Sequence, residues 1–137
     1  MTRRADPGSL ADRIGHDGIA AVVDVFYTRI QTHPTLAAPF GIVDDWDHHK
    51  AKLTHFWWVL LGGDPYLEVD YQVPLKHIRA GFTVPLLADW LELFAEVQRD
   101  LLPPAEADDW HHLSVGMGQN LARMNAAIAA RAAEQGA

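Results

Sequence analysis

Cysteine is absent from the 137 residues, which excludes disulfides, thiolate metal sites and cysteine nucleophiles. The absence also fits a reducing compartment. Positive charge is scarce: 11 Lys and Arg stand against 18 Asp and Glu, for a formal charge of -7. That balance argues against nucleic acid as a partner unless the cations cluster. Long apolar runs are missing as well. The longest, FWWVLLGG, falls far short of the roughly 20 residues that span a membrane. The opening MTRRADPGSL has an arginine pair with no apolar run behind it, so it reads as neither a secretory nor a twin-arginine signal. A cytoplasmic protein with no membrane or nucleic-acid partner is the expectation.

What is present is helical. Residues 1–15 are polar around Pro7-Gly8 and are expected to be a flexible lead-in, with one domain over 16–134. From Asp17, the residues Ile19, Val22, Val23, Phe26, Tyr27 and Ile30 keep the helical period without a miss, up to His33-Pro34. A second helix is expected over Trp46 to Leu61, capped by Asp44 or Asp45 and stopped by Gly62-Gly63. Residues 64–74 show no period and read as a loop, and a short helix follows in PLKHIRA. Thr83 and Pro85 start a further helix striped by Leu86, Trp90, Leu93, Phe94, Val97 and Leu101, which ends at Pro103-Pro104. The last helix, from Ala105 to Ala133, is expected to bury Leu113, Met117, Leu121, Met124 and Ile128. No alternating segment is long enough for a sheet. The fold class is all-α, either a four-helix bundle or a globin-like arrangement.

Within DHHKAKLTHFWW the histidines are not equivalent. At about 100° per residue, His49, Leu53, Phe56, Trp57 and Leu60 share one face. His48, Lys52, His55 and Val59 fall on another flank, expected to meet water. Trp58 points away from the His49 face. Taken singly, Tyr27, His49 and Trp90 are core residues whose polar tips find partners. By periodicity alone His77 is a surface or half-buried histidine, although imidazole is also a good nitrogen donor to iron. Together, four polar-tipped residues on three apolar faces and one loop-bound helix would gather donors around an apolar space, as helical ligand sites do. HExxH, repeated Glu-x-x-His pairs, a phosphate loop and a nucleophile elbow are all missing.

Four collinear blocks, VFYTRI, HHKAKLTHFWW, VPLKHI and DWLELF, resemble group III truncated haemoglobins from about Ile19 to Leu101. The resemblance implies a truncated globin-like fold with helices layered around haem b (iron protoporphyrin IX). It implies His77 as the proximal iron ligand, Tyr27 and Trp90 as distal donors, and His49 as a gate at the mouth. Phe26, Leu53, Phe56, Trp57 and Phe94 would line the slot. Lys50, Lys76 and Arg79 would pair with the haem carboxylates, each worth at most about 1 kcal/mol if exposed. The implied ligands are diatomic gases (O2, NO, CO), with nitric oxide detoxification, as a dioxygenase, or peroxidase-like chemistry as activities and a reductase as partner. Two other classes stay open: a haem-based gas or redox sensor acting through a partner protein, and a haem-free helical interaction module.

Overall fold

The structure, a computed structural model, describes residues 4–68 and 84–135, and of these the side chains other than those at 42, 84 and 121–135. Among the described residues five helices follow one another: α1 Leu10–Ile14, α2 His16–Ile30, α3 Trp46–Leu60, α4 Val84–Leu101 and α5 Pro104–Gln135. A 3-10 turn, Pro39–Ile42, lies between α2 and α3. Among the described residues the only β pairing is an isolated bridge, Ala5 to Gly63. No described helix is long and apolar enough to cross a membrane. Helices α4 and α5 make the most extensive packing, followed by α2 with α3 and α2 with α4.

Local chemistry explains the helix limits. Gly15 at φ +83° allows the turn from α1 into α2, a conformation most L side chains resist. Asp45 caps α3 by accepting from the backbone N–H of His48. All six periodic residues of α2 are buried. The core is built around rings from four helices. Phe26 of α2 stacks on Phe94 of α4 at 4.5 Å, and Phe94 meets Trp57 of α3 at 5.3 Å and Trp110 of α5 at 5.4 Å. Each well-placed pair adds about 0.5–1.5 kcal/mol beyond its burial.

The described part of the lead-in, residues 4–15, packs onto the rest of the domain. Ser9 caps α1, and Leu10 and Ala11 enter the core. The N–H groups of Asp6 and Ala11 donate to the carbonyls of Gly62 and Leu61 at 2.8 and 2.9 Å. Arg13 pairs with Asp109 of α5 at 3.0 Å. The physical reason is that the carbonyls at the end of α3 lack helical partners, and the N-terminal segment supplies them.

That cover also changes which flanks of α3 are buried. Leu60, expected inside, is 44% exposed, whereas His55, expected in water, is only 4% exposed. Nε2 of His55 accepts from two consecutive backbone donors, Tyr66 at 3.1 Å and Leu67 at 3.2 Å. The Tyr66 ring sits edge-on to His55 at 4.6 Å, and the Tyr66 hydroxyl meets His16 Nε2 at 2.6 Å. Trp58 is buried on the same side, edge-on to His16 at 5.5 Å, and donates to the Asp64 carbonyl at 2.9 Å. Gly63 lies flat beneath the Trp58 indole, where any Cβ would collide with the ring. His48 remains exposed, as expected.

On α5 the buried face is Ala107, Trp110, Ser114 and Gly118, with Met117 partly buried. Leu113, expected inside, is 43% exposed. Leu121, Met124 and Ile128 have side chains outside the described set. Small residues around one indole let α4 approach closely: a Cβ on Gly118 would stand 3.0 Å from Leu87. A periodicity count weighted toward large apolar residues misses such a face.

The His55 contacts carry a measurable consequence. Replacing His55 with Leu orphans two backbone N–H groups and is expected to cost about 1–3 kcal/mol, read as a fall in Tm. His48→Ala, on the exposed flank, is expected to change stability by less than about 0.5 kcal/mol. Equal melting temperatures for the two variants would contradict the buried placement of His55.

Candidate functional site

Tyr27, His49 and Trp90 come from three helices and meet at one place. Tyr27 stands on the buried face of α2 and is only 4% exposed. His49, one turn into α3, is half-buried with its ring edge-on to Tyr27 at 5.6 Å and 87°. Trp90, on the first half of α4, is half-buried against Phe26 at 5.3 Å and Phe94 at 4.9 Å. A side-chain bridge from the α2–α3 connection holds this part of α4: Thr35 donates to Asp89 at 2.7 Å. That connection is itself shaped by His33, whose Nδ1 accepts from the backbone of Thr35 and Leu36 at 3.2 and 3.3 Å.

The electrostatics of the three tips follow from burial. Desolvation pushes the Tyr27 phenol well above its ordinary value, and the Trp90 indole N–H, bonded to the phenolic oxygen, offsets this only in part. Tyr27 is therefore a neutral hydroxyl with its proton in place. Its oxygen takes the Trp90 bond, and the His49 ring stands beside it. The arrangement suits an incoming acceptor atom carrying partial negative charge.

The apolar residues sort into two layers. Phe26, Trp57 and Phe94, expected to line a slot, are at most 2% exposed and sealed into the ring cluster. They form the floor behind the site, because rings from α2 to α5 close over them. Leu53, Phe56, Leu86 and Trp90 are among the partly buried apolar residues packed on that core. They present the apolar surface that a flat hydrophobic group requires. Phe56 leans edge-on against Trp57 at 5.3 Å, so the outer layer is braced by the inner one.

Lys50, expected beside a cofactor carboxylate, is engaged elsewhere. Its Nζ bonds Asp24 Oδ1 and Thr28 Oγ1 on α2, both at 2.9 Å. Helix packing brings α2 acceptors alongside α3, a pairing that no local pattern signals. Lys76, His77 and Arg79 lie outside the described residues. Two residues that sequence reasoning passed over are Phe40 and Trp46. Trp46 lies three positions before His49 and meets it edge-on at 5.5 Å, and Phe40 meets Tyr27 at 5.9 Å. The i, i+3 spacing of Trp46 and His49 was the available signal.

No family model matches the chain. In sequence it is 31% identical over 93 residues to the group 3 truncated hemoglobin ctb of Campylobacter jejuni, covering 62% of this chain and 70% of that protein. In structure it is similar to a truncated oxygen-avid haemoglobin from Bacillus subtilis, with a TM-score of 0.71, 19% identity, and 83% and 98% of the two chains covered. It is also similar to the group II truncated hemoglobin from Bacillus anthracis, with a TM-score of 0.73, 21% identity, and 85% and 92% covered.

The raised Tyr27 value has a direct test. Below the ordinary phenol value of about 10 both folded and unfolded chains keep the proton; above it only the unfolded chain releases it, so stability falls as pH rises past that point. In ultraviolet titration of the folded protein, Tyr27→Phe is expected to leave the tyrosinate signal unchanged until alkaline unfolding begins. Loss of one tyrosine's signal before unfolding would show Tyr27 to be in contact with water.

Proposed function

The chain belongs to the truncated haemoglobin family, and on that premise we propose that it holds haem b and binds diatomic gases at a five-coordinate iron. The observation that carries the reading is the convergence of a buried, protonated Tyr27 hydroxyl, the Trp90 indole and the His49 ring from three helices beside a half-buried apolar layer. The residues present fit the group. A half-buried apolar layer suits a porphyrin face, and neutral donors suit a polar ligand held above it. When bound, the haem iron supplies the coordination of O2, NO or CO and the redox change that goes with it.

The protein's own residues divide the remaining work. His77 is the proposed proximal ligand, with Lys76 and Arg79 beside it as proposed partners of the haem carboxylates. Tyr27 donates its hydroxyl proton to the ligand. Trp90 points its N–H at the Tyr27 oxygen, which orients that hydroxyl and places an indole donor in the same region. His49 stands at the mouth, edge-on to Tyr27, and acts as the gate. Leu53 and Phe56 supply half-buried contact area for the porphyrin.

A hydrogen bond to a partially charged acceptor is worth about 1.5–3 kcal/mol, or roughly tenfold or more in affinity. A pocket that grips dioxygen this firmly releases it slowly, which suits turnover better than transport. The proposed activities are nitric oxide detoxification or peroxide chemistry, with electrons supplied by a reductase partner.

Haemin titration of the purified protein is expected to produce a Soret band that His77→Ala abolishes or shifts. In stopped-flow measurement, Tyr27→Phe is expected to speed dioxygen release by at least about tenfold. An unchanged rate would remove Tyr27 from the mechanism, and an unchanged Soret band in His77→Ala would remove the proposed proximal ligand.

A further inference from the structure

We propose that Trp46 is the positioning residue of the gate: it latches the His49 imidazole against Tyr27 and so sets how often the pocket opens. The inference rests on the haem reading above and extends it to a residue outside the pocket.

Four aromatic side chains close a circuit at the mouth of the site. Tyr27 meets Phe40 at 5.9 Å, Phe40 meets Trp46 at 6.5 Å, Trp46 meets His49 at 5.5 Å, and His49 meets Tyr27 at 5.6 Å. A fifth contact crosses it, Tyr27 to Trp46 at 6.0 Å. The imidazole is nearly perpendicular to both of its neighbours, at 89° to Trp46 and 87° to Tyr27. Edge-to-face pairs of this kind are attractive because ring edges are positive and ring faces negative.

The two neighbours are not equivalent as supports. Tyr27 is buried in the core face of α2 and bonded to Trp90, so the surrounding core holds it. Trp46 is half-buried in the first turn of α3, three residues from His49, where i, i+3 side chains lie side by side. Phe40 and Tyr27 both touch Trp46, which fixes the indole in turn. An outward swing of His49 breaks its contact with Trp46 as well as with Tyr27. Removing the indole therefore lowers the cost of opening without touching the donors that hold the ligand. Specifically, Trp46 tunes the rate of entry and leaves the strength of the Tyr27 bond alone.

The test is carbon monoxide rebinding after flash photolysis of the haem-loaded protein. Trp46→Ala is expected to raise the association rate about fivefold, the change in open population when one aromatic contact is lost. Trp46→Phe, which keeps a ring at that position, is expected to restore most of the wild-type rate and serves as the informative variant should Trp46→Ala fold poorly. In a His49→Ala background, Trp46→Ala is expected to add nothing. A second readout needs no haem: in the NMR spectrum of the apoprotein the His49 ring protons are expected to carry a ring-current shift that Trp46→Ala removes. Unchanged rebinding in Trp46→Ala, or an undiminished effect in the His49→Ala background, overturns the inference while leaving the haem reading intact. A wild type that takes up no haemin overturns the haem reading itself, and the gate with it.

Discussion

The contact of Phe26, Trp57, Phe94 and Trp110 is the constraint from which the rest of the molecule follows. Each ring comes from a different helix, and their centroids lie 4.5 to 5.5 Å apart. Truncating a buried ring of this size typically costs about 3–5 kcal/mol, a large part of a domain's net stability. The cluster therefore holds α2, α3, α4 and α5 in register with one another. The proposed distal donors, Tyr27 and Trp90, ride on it. Tyr27 is the next residue after Phe26, and Trp90 is one helical turn before Phe94, so fixing the two phenylalanines brings a hydroxyl and an indole N–H together.

Behind that arrangement, at the far end of α3, a polar assembly does what apolar packing alone does not. His55 and Trp58 bond the backbone of residues 64–67, and His16 bonds the Tyr66 hydroxyl. The N-terminal segment covers the same region and satisfies the last carbonyls of α3. One helix thus carries two histidines with opposite duties. His55 accepts backbone hydrogen bonds in the interior, and His49 stands half-buried at the mouth of the candidate site. The imidazole is suited to both because its two nitrogens and its ring edge can be used independently.

Much of this was legible in the residues. All six buried positions of α2 follow from a single 3.6-residue period, and Asp45 and Pro103-Pro104 mark helix limits where the structure has them. The four blocks that resemble truncated haemoglobins pointed to the family the comparisons support. The errors share a cause. His55 was expected in solvent because the flank it occupies is polar; in fact residues 61–67 and the N-terminal segment return to cover it. Lys50, expected by resemblance near a cofactor carboxylate, bonds Asp24, 26 residues before it in the chain. The buried face of α5 was misjudged because its small residues carry little hydrophobic weight, although Gly118 lets Leu87 of α4 pack close.

By itself the sequence determined the limits of α2 to α5 to within a few residues, and which of their residues are chemically able to serve a haem pocket. Caps, prolines and helical periods act within about four residues, so a linear string contains them completely. Tertiary structure alone decided that Tyr27, Trp90 and His49 converge, that Trp46 and Phe40 join them, and that Lys50 turns away. Those outcomes depend on how separate helices cross, and crossing is set by side-chain volumes brought together from distant parts of the chain.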